Sequence, residues 1–344
     1  MAATAALGTA DRFHTPPPGD PSLSNYKEWH HFNLIDDGAG LDVIVNLSVT
    51  GDVHTPGEGQ ANLILLTFER RGGWRGDVDV HDGAAVRSRQ DRLGLEFGLS
   101  SLSYDGTAYQ LDAALRDGSV MVELRLTPLT DPMMVWKNTP VGAGHINWLI
   151  VPHLSVSGRV QVEGRRYDVE GGRGYHDHNW GAWRWGENFG WDWGFCSDAC
   201  QVGEETLSVV YDRTTDRSGS RVQEHTLALW KGRALTKLFT RRMLQARRIG
   251  RFEGEVRRRP AVMGLLRNDQ VRSVPRRIEV SARDGADWLE AVYEVEVALQ
   301  VSIPSEMDFG AVELNETLGW LTLTGSVAGA AISCRRRTCF EIVC

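Results

Sequence analysis

The chain is poor in the features that mark several large protein classes. It contains no apolar run approaching the ~18–20 residues that a membrane-spanning helix needs. Its first stretch, MAATAALGTADRFHTPPPGDP, lacks the basic segment and apolar centre of a secretory signal, and its small residues and prolines predict a flexible arm over 1–21. Cysteine is scarce. Cys196, Cys200, Cys334, Cys339 and Cys344 are odd in number and form no Cys-x-x-Cys pair. That weighs against a disulfide scaffold or a cysteine zinc site, and predicts reduced thiols in a cytoplasmic protein. No glycine-rich phosphate loop follows a strand, so a nucleotide-binding α/β fold is not expected.

What the chain has is an uneven distribution of charge and of tryptophan. The net charge of −7 conceals a basic block from Lys231 to Arg277, where 15 Lys and Arg face three acidic residues. That block is +12, in a chain whose remainder sums to −19. Five of the twelve tryptophans lie between Trp180 and Trp193.

Most of the sequence reads as strands. LDVIVNLSVTG (41–51), ANLILLTFER (61–70), VMVELRLTPL (120–129) and LSVSGRVQVEG (154–164) are rich in β-branched residues and bounded by turn formers. The rhythm resumes after residue 188 and continues to 327. An all-β protein of antiparallel barrels or sandwiches follows. The basic block is the exception. Leu235, Leu238, Phe239, Met243, Ala246 and Ile249 recur at helical spacing and predict a basic amphipathic helix over 233–250. Its cationic face reads as solvated, as an anchor at a membrane surface, or as a lid or docking face. Nucleic acid is not an expected partner, because the block has few aromatics and no recognised module surrounds it.

The chemistry concentrates in GGRGYHDHNWGAWRWGENFGWDWGF (171–195). A carboxyl group set among aromatic rings is desolvated, holds its proton near neutral pH and can act as a general acid. Indole faces around it can stabilise the cation formed when that proton is given up. This is equipment for protonating an alkene. On an extended 175–180, Tyr175, Asp177 and Asn179 share one face, while His176, His178 and Trp180 share the other. Which face looks into a pocket stays open. Asp177, assisted by His178, is the expected proton donor, with Tyr175 beside it, and Trp180, Trp183, Trp185 and Trp191 are expected to line the cavity. A second patch, KEWHHFNLID (27–36), adds Glu28, Trp29, His30 and His31. Glu28 joins the catalytic candidates, and Trp29, His31, His176 and Asn179 the substrate-binding ones. Asp192, between two tryptophans on an expected strand, reads as solvent-facing, and it and Glu187 are reserve candidates. His176 and His178 form an H-x-H pair that His30 or His31 could complete, but no carboxylate at ligand spacing accompanies them, and no metal is expected.

The stretch from Ile146 to Gly181, ending in G-Y-H-D-H-N-W-G (174–181), together with E-W-H-H-F-N (28–33), resembles the carotenoid 1,2-hydratase (hydroxyneurosporene synthase) and AttH-like family. His30 stands where that family usually has a second Trp. The resemblance implies two tandem lipocalin-like antiparallel β-barrels, 22–188 and 189–344, the second carrying the basic insertion 231–277. It implies no obligatory metal or organic cofactor, and a lipophilic isoprenoid or polyene substrate. The implied activity is that of a hydratase or cyclase, a lyase or isomerase of natural-product biosynthesis. Two alternatives stand beside it: a pericyclase that acts by folding its substrate, and a lipid carrier without catalysis.

Overall fold

The computed structural model describes residues 7–266, 271 and 273–343. Residues 1–6 of the expected arm, 267–270 and 272 of the expected insertion, and Cys344 lie outside them. The chain is nearly all β and divides into two compact units, Met1–Arg184 and Trp185–Cys344.

The N-terminal unit carries β1 (Tyr26–Asp36), β2 (Leu41–Gly51), β3 (Gly59–Glu69), β4 (Gly73–Asp82), β5 (Arg87–Ser88) and β6 (Gly94–Phe97). It continues with β7 (Ser100–Tyr104), β8 (Tyr109–Ala114), β9 (Val120–Pro128), β10 (Met133–Val141), β11 (Gly144–Val162) and β12 (Arg165–Ala182). They form one antiparallel sheet in the order β4-β3-β2-β1-β12-β11-β9-β8-β7-β6-β5, with β10 also paired to β11. The sheet curls into a half-barrel.

The C-terminal unit carries β13 (Gly190–Val202), β14 (Glu205–Thr215), β15 (Val222–Lys231), β16 (Ala234–Thr240) and β17 (Leu244–Ile249). Then come β18 (Val256–Arg259), β19 (Arg277–Asp284), β20 (Asp287–Pro304), β21 (Ala311–Val327) and β22 (Ala330–Val343). The order here is β16-β15-β14-β13-β22-β21-β20-β19-β17, with β18 alongside β20 in parallel. In both units the first strand pairs with the last, β1 with β12 and β13 with β22. That pairing gathers the chemistry onto neighbouring strands.

Local patterning explains the strands. In β9, Val120, Val122, Leu124 and Leu126 are buried in the core, while Glu123 and Arg125 point to solvent. Period-two alternation of this kind is what a half-buried strand requires. Gly158 on β11 makes the close approach to β9 possible, since a Cβ there would lie 2.1 Å from the Glu123 carbonyl oxygen.

Two expectations are overturned. The helix over 233–250 does not form; this segment is β16, a single 3-10 turn at Arg241–Met243, and β17. Its apolar residues fit a helical wheel, but burial follows the strand: Phe239 is fully buried and Leu238 is exposed. The cations are matched by acids on neighbouring strands. Lys237 reaches Asp284 (2.8 Å) and Asp287 (2.6 Å), Arg241 reaches Glu224 (2.6 Å), and Arg247 reaches Glu279 (3.2 Å). The amphipathic helix that the membrane-anchor reading requires is not formed. No helix among the described residues is long and apolar enough to cross a membrane.

The described part of the N-terminal arm is not free either. Leu7 and Phe13 belong to the core of the N-terminal unit, and Asp11 is fully buried. Burial of these two large apolar side chains contributes about 3–6 kcal/mol toward the entropy of fixing the segment.

Candidate functional site

Two clusters of buried ionisable groups stand out, one in each unit. The first lies on one face of the β1–β12 pair. The register sets His30 opposite His178 and Glu28 opposite Trp180. Period-two alternation then brings Glu28, His30, Phe32, His176, His178 and Trp180 to the same face. Asp11 docks onto this face from the N-terminal segment. Its Oδ2 accepts from the Tyr109 hydroxyl (2.8 Å) and lies 3.0 Å from His176 Nε2. His178 lies between two carboxylates, with Nε2 2.8 Å from Glu28 Oε1 and Nδ1 3.0 Å from Asp11 Oδ1. The Tyr26 hydroxyl and the His14 backbone N–H donate to Glu28 at 2.8 and 2.7 Å. Rings stack through the cluster: His30 on His178 (3.8 Å), Phe32 on His176 (4.1 Å) and His14 on Trp180 (4.2 Å). Burial alone would push His178 down, but Asp11 and Glu28 outweigh it and hold the imidazole up at about 9. Burial would raise Asp11, yet the surrounding imidazoles, His176 foremost, hold it well below the usual carboxylate range.

The opposite face of the same strands holds the other sequence candidates. Asn179 Nδ2 donates to Asp177 Oδ1 (2.8 Å), and His31 Nε2 lies 2.9 Å from Asn33 Oδ1. Burial pushes His31 down to about 3. Tyr175 is fully buried on this face. Trp29 meets Trp183 edge to face at 5.5 Å, and Lys27 Nζ donates to the Trp183 carbonyl at 2.7 Å. Asp177 and His178 thus point away from each other, and the partners of His178 are Glu28 and Asp11. The expected pairing is corrected for a simple reason: adjacent strand residues alternate.

The second cluster lies in the C-terminal unit. Trp191 and Trp193 project from one face of β13, and both indole N–H groups donate to Glu341 Oε1, at 2.6 and 2.8 Å. The strand registers place Asp212, Trp193, Glu341 and Glu316 in one row across β14, β13, β22 and β21. Directly opposed residues in such a row sit about 5 Å apart. Burial raises the Glu341 carboxyl above its ordinary range, although its hydrogen bonds with the two indoles and Glu316 pull the other way. Two adjoining buried carboxyls resist double ionisation. Asp212 is pushed well up by burial and by Asp192, and neither of its oxygens has a hydrogen-bond partner. Trp191 stacks with Phe189 (5.8 Å) and lies 5.7 Å from Trp185. The Trp185 backbone N–H donates to Glu306 Oε2 at 2.6 Å.

Asp192 does not face solvent. It is fully buried on the other face of β13, 2.5 Å from Arg213 and 3.0 Å from Arg248 Nε. Glu187 lies half-buried in the turn before β13. An apolar cleft lined by Phe195, Tyr211, Tyr293 and Phe340 has room for about one water molecule.

Sequence reasoning reached Glu28, His176, His178, Trp180, Trp185 and Trp191, but missed Asp11, Tyr109, Asp212, Glu316 and Glu341. The missed residues are far in sequence from the aromatic segment. Strand register brings Asp212, Glu316 and Glu341 to it, docking of the N-terminal segment brings Asp11, and the local pattern around Glu341 carries no signal beyond an ordinary strand.

No family model matches the chain, and comparison with curated proteins gives no match either. Solved structures do match. One assigned as AttH from Nitrosomonas europaea has TM-score 0.64 at 16% identity, covering 96% of this chain and 99% of its own. Kievitone hydratase from Nectria haematococca has TM-score 0.58 at 11% identity, covering 97% and 96%. CghA with Sch210972 has TM-score 0.56 at 12% identity, covering 96% and 94%. At such identities the likeness speaks for fold alone. Along nearly its whole length, this chain shares the fold of AttH, kievitone hydratase and CghA.

Proposed function

We propose that the protein is an acid-initiated hydratase or cyclase acting on an apolar isoprenoid or polyene substrate, with Glu341 as proton donor. One observation carries this reading: a buried carboxyl, raised by desolvation, held by two indole N–H groups beside a second carboxyl. Both indoles address Oε1, and the reading puts the transferable proton on Oε2. A carboxyl raised by burial beside aromatic rings is the kind of acid that alkene protonation requires. The shared fold with a protein named as a hydratase supports the same class of chemistry.

The Oε2–H bond breaks as a new C–H bond forms at one alkene carbon, and the π pair is consumed. The adjoining carbon becomes cationic beside Trp191 and Trp193. Water then adds and returns a proton to the carboxylate, giving hydration. Alternatively an internal π bond closes a ring, and loss of a ring proton to the carboxylate restores the acid. Asp212 in the same row is a second carboxyl that burial raises, and Glu316 is hydrogen-bonded to Glu341. Glu341 takes the role that the sequence suggests for Asp177, because burial raises its carboxyl.

The test is turnover of isoprenoid and polyene alkenes in deuterated water. Deuterium enters the product at the protonated carbon, and Glu341→Gln lowers turnover by about 10²–10⁴-fold. Ring closure without deuterium, undiminished in Glu341→Gln, overturns the acid mechanism in favour of substrate folding. Return of every alkene unchanged overturns the enzymatic reading.

A further inference from the structure

The cluster in the N-terminal unit takes no part in that reaction. We propose that Asp11, His30 and His178 form a binding site for a divalent transition-metal cation that clamps the N-terminal segment to β1 and β12. Each of the three offers one ligand atom, these atoms all lie within 4.8 Å of one another, and all three side chains are fully buried. Two histidines with one carboxylate is a set that zinc and ferrous sites use. The carboxylate missing from the H-x-H motif in the sequence is supplied by Asp11.

Two further observations point to a cation. Asp11 Oδ1 and His178 Nδ1 face each other at 3.0 Å, with the distance but not the directionality of a hydrogen bond, and neither has another partner. His30 likewise keeps a buried ring nitrogen, Nδ1, without a hydrogen-bond partner among the described residues. Buried polar atoms left in this state are costly, at about 1–3 kcal/mol each. Two ligand atoms bonded to one zinc ion at about 2.1 Å, at angles between 90° and 110°, lie ~3.0–3.4 Å apart. The Asp11–His178 spacing of 3.0 Å lies at the short end of that range.

The remaining atoms of the three residues are already held as ligand-orienting contacts. His178 Nε2 is bonded to Glu28 (2.8 Å), a carboxylate–histidine pairing typical of metal sites. Asp11 Oδ2 is fixed by Tyr109 (2.8 Å) and His176 (3.0 Å). His30 Nε2 lies 3.1 Å from the Asp11 carbonyl oxygen. The cation would therefore join three chain segments whose ligands are already aimed at one point. Its role is structural, because the site is sealed.

Zinc chloride is the probe, titrated calorimetrically into full-length protein stripped with chelator. The expected result is one zinc per chain, with a rise in melting temperature. Cobalt(II) should give visible bands of a low-symmetry nitrogen–oxygen site. Asp11→Asn and His30→Gln should each weaken binding at least tenfold and remove the thermal shift, while His54→Gln, on the surface, should change neither. Absence of stoichiometric zinc binding by the unmodified protein overturns the proposal, whatever the fate of the variants. Binding undiminished in both Asp11→Asn and His30→Gln overturns it equally. Alkene turnover is not a readout of either arm, so the failure of this site and of the Glu341 site are separable.

Discussion

Trp193 donates its indole N–H to Glu341 at 2.8 Å across the pairing of the first and last strands of the C-terminal unit. The bond stabilises the carboxylate and so works against the burial that raises Glu341. Trp193→Phe removes one stabilising donor and pushes the carboxyl higher still. Turnover should be constant at low pH and fall as pH rises through the Glu341 pKa. In Trp193→Phe that fall should move to higher pH. A pH–rate profile of the two proteins measures the shift, and a shift to lower pH would contradict the assignment.

Asp192 is the common partner of Arg213 and Arg248, in a site closed to solvent around the carboxylate. Removing it leaves a buried guanidinium without its counter-charge, a change that costs about 3–5 kcal/mol. Asp192→Ala should lower stability by roughly 3 kcal/mol in denaturant titration, with a large drop in melting temperature. Arg247→Ala, which breaks a surface pair with Glu279, should change it by less than ~1 kcal/mol.

His225 should make the protein sensitive to acid. Burial, and then Arg213, hold its pKa down at about 4, against 6.5 for an unperturbed imidazole. The folded state therefore favours the neutral ring, and below pH 6.5 the unfolded chain binds the proton more readily. The contribution is complete above pH 6.5 and is lost as pH falls toward 4, by an amount on the order of 3 kcal/mol. Denaturation curves between pH 7 and 4 should show a shallower loss for His225→Gln than for the unmodified protein.

Phe13 tests the docking of the N-terminal segment. It is buried within the N-terminal core and lies 6.4 Å from the His30 ring. Phe13→Ala should cost about 3 kcal/mol, as truncation of a packed aromatic does. A free arm would show no change in melting temperature.

Sequence alone determined the fold class, because burial in a strand repeats every two residues and that period is written locally. The runs at 41–51, 61–70 and 120–129 correspond closely to β2, β3 and β9. Local pattern misled over 233–250, where apolar residues matching a helical wheel lie in two strands. There the backbone pairs with β15 and β19, strands that no local window contains. The sequence also located the aromatic segment and the two faces of 175–180. It had no means of choosing partners for them, since register is a long-range property. Pairing of β1 with β12 delivered Glu28 and His30 to His178, and docking of residues 7–16 added Asp11. Pairing of β13 with β22 delivered Glu341 to Trp191 and Trp193. The pKa shifts arise from burial and from those neighbours, so they exist only in the folded chain.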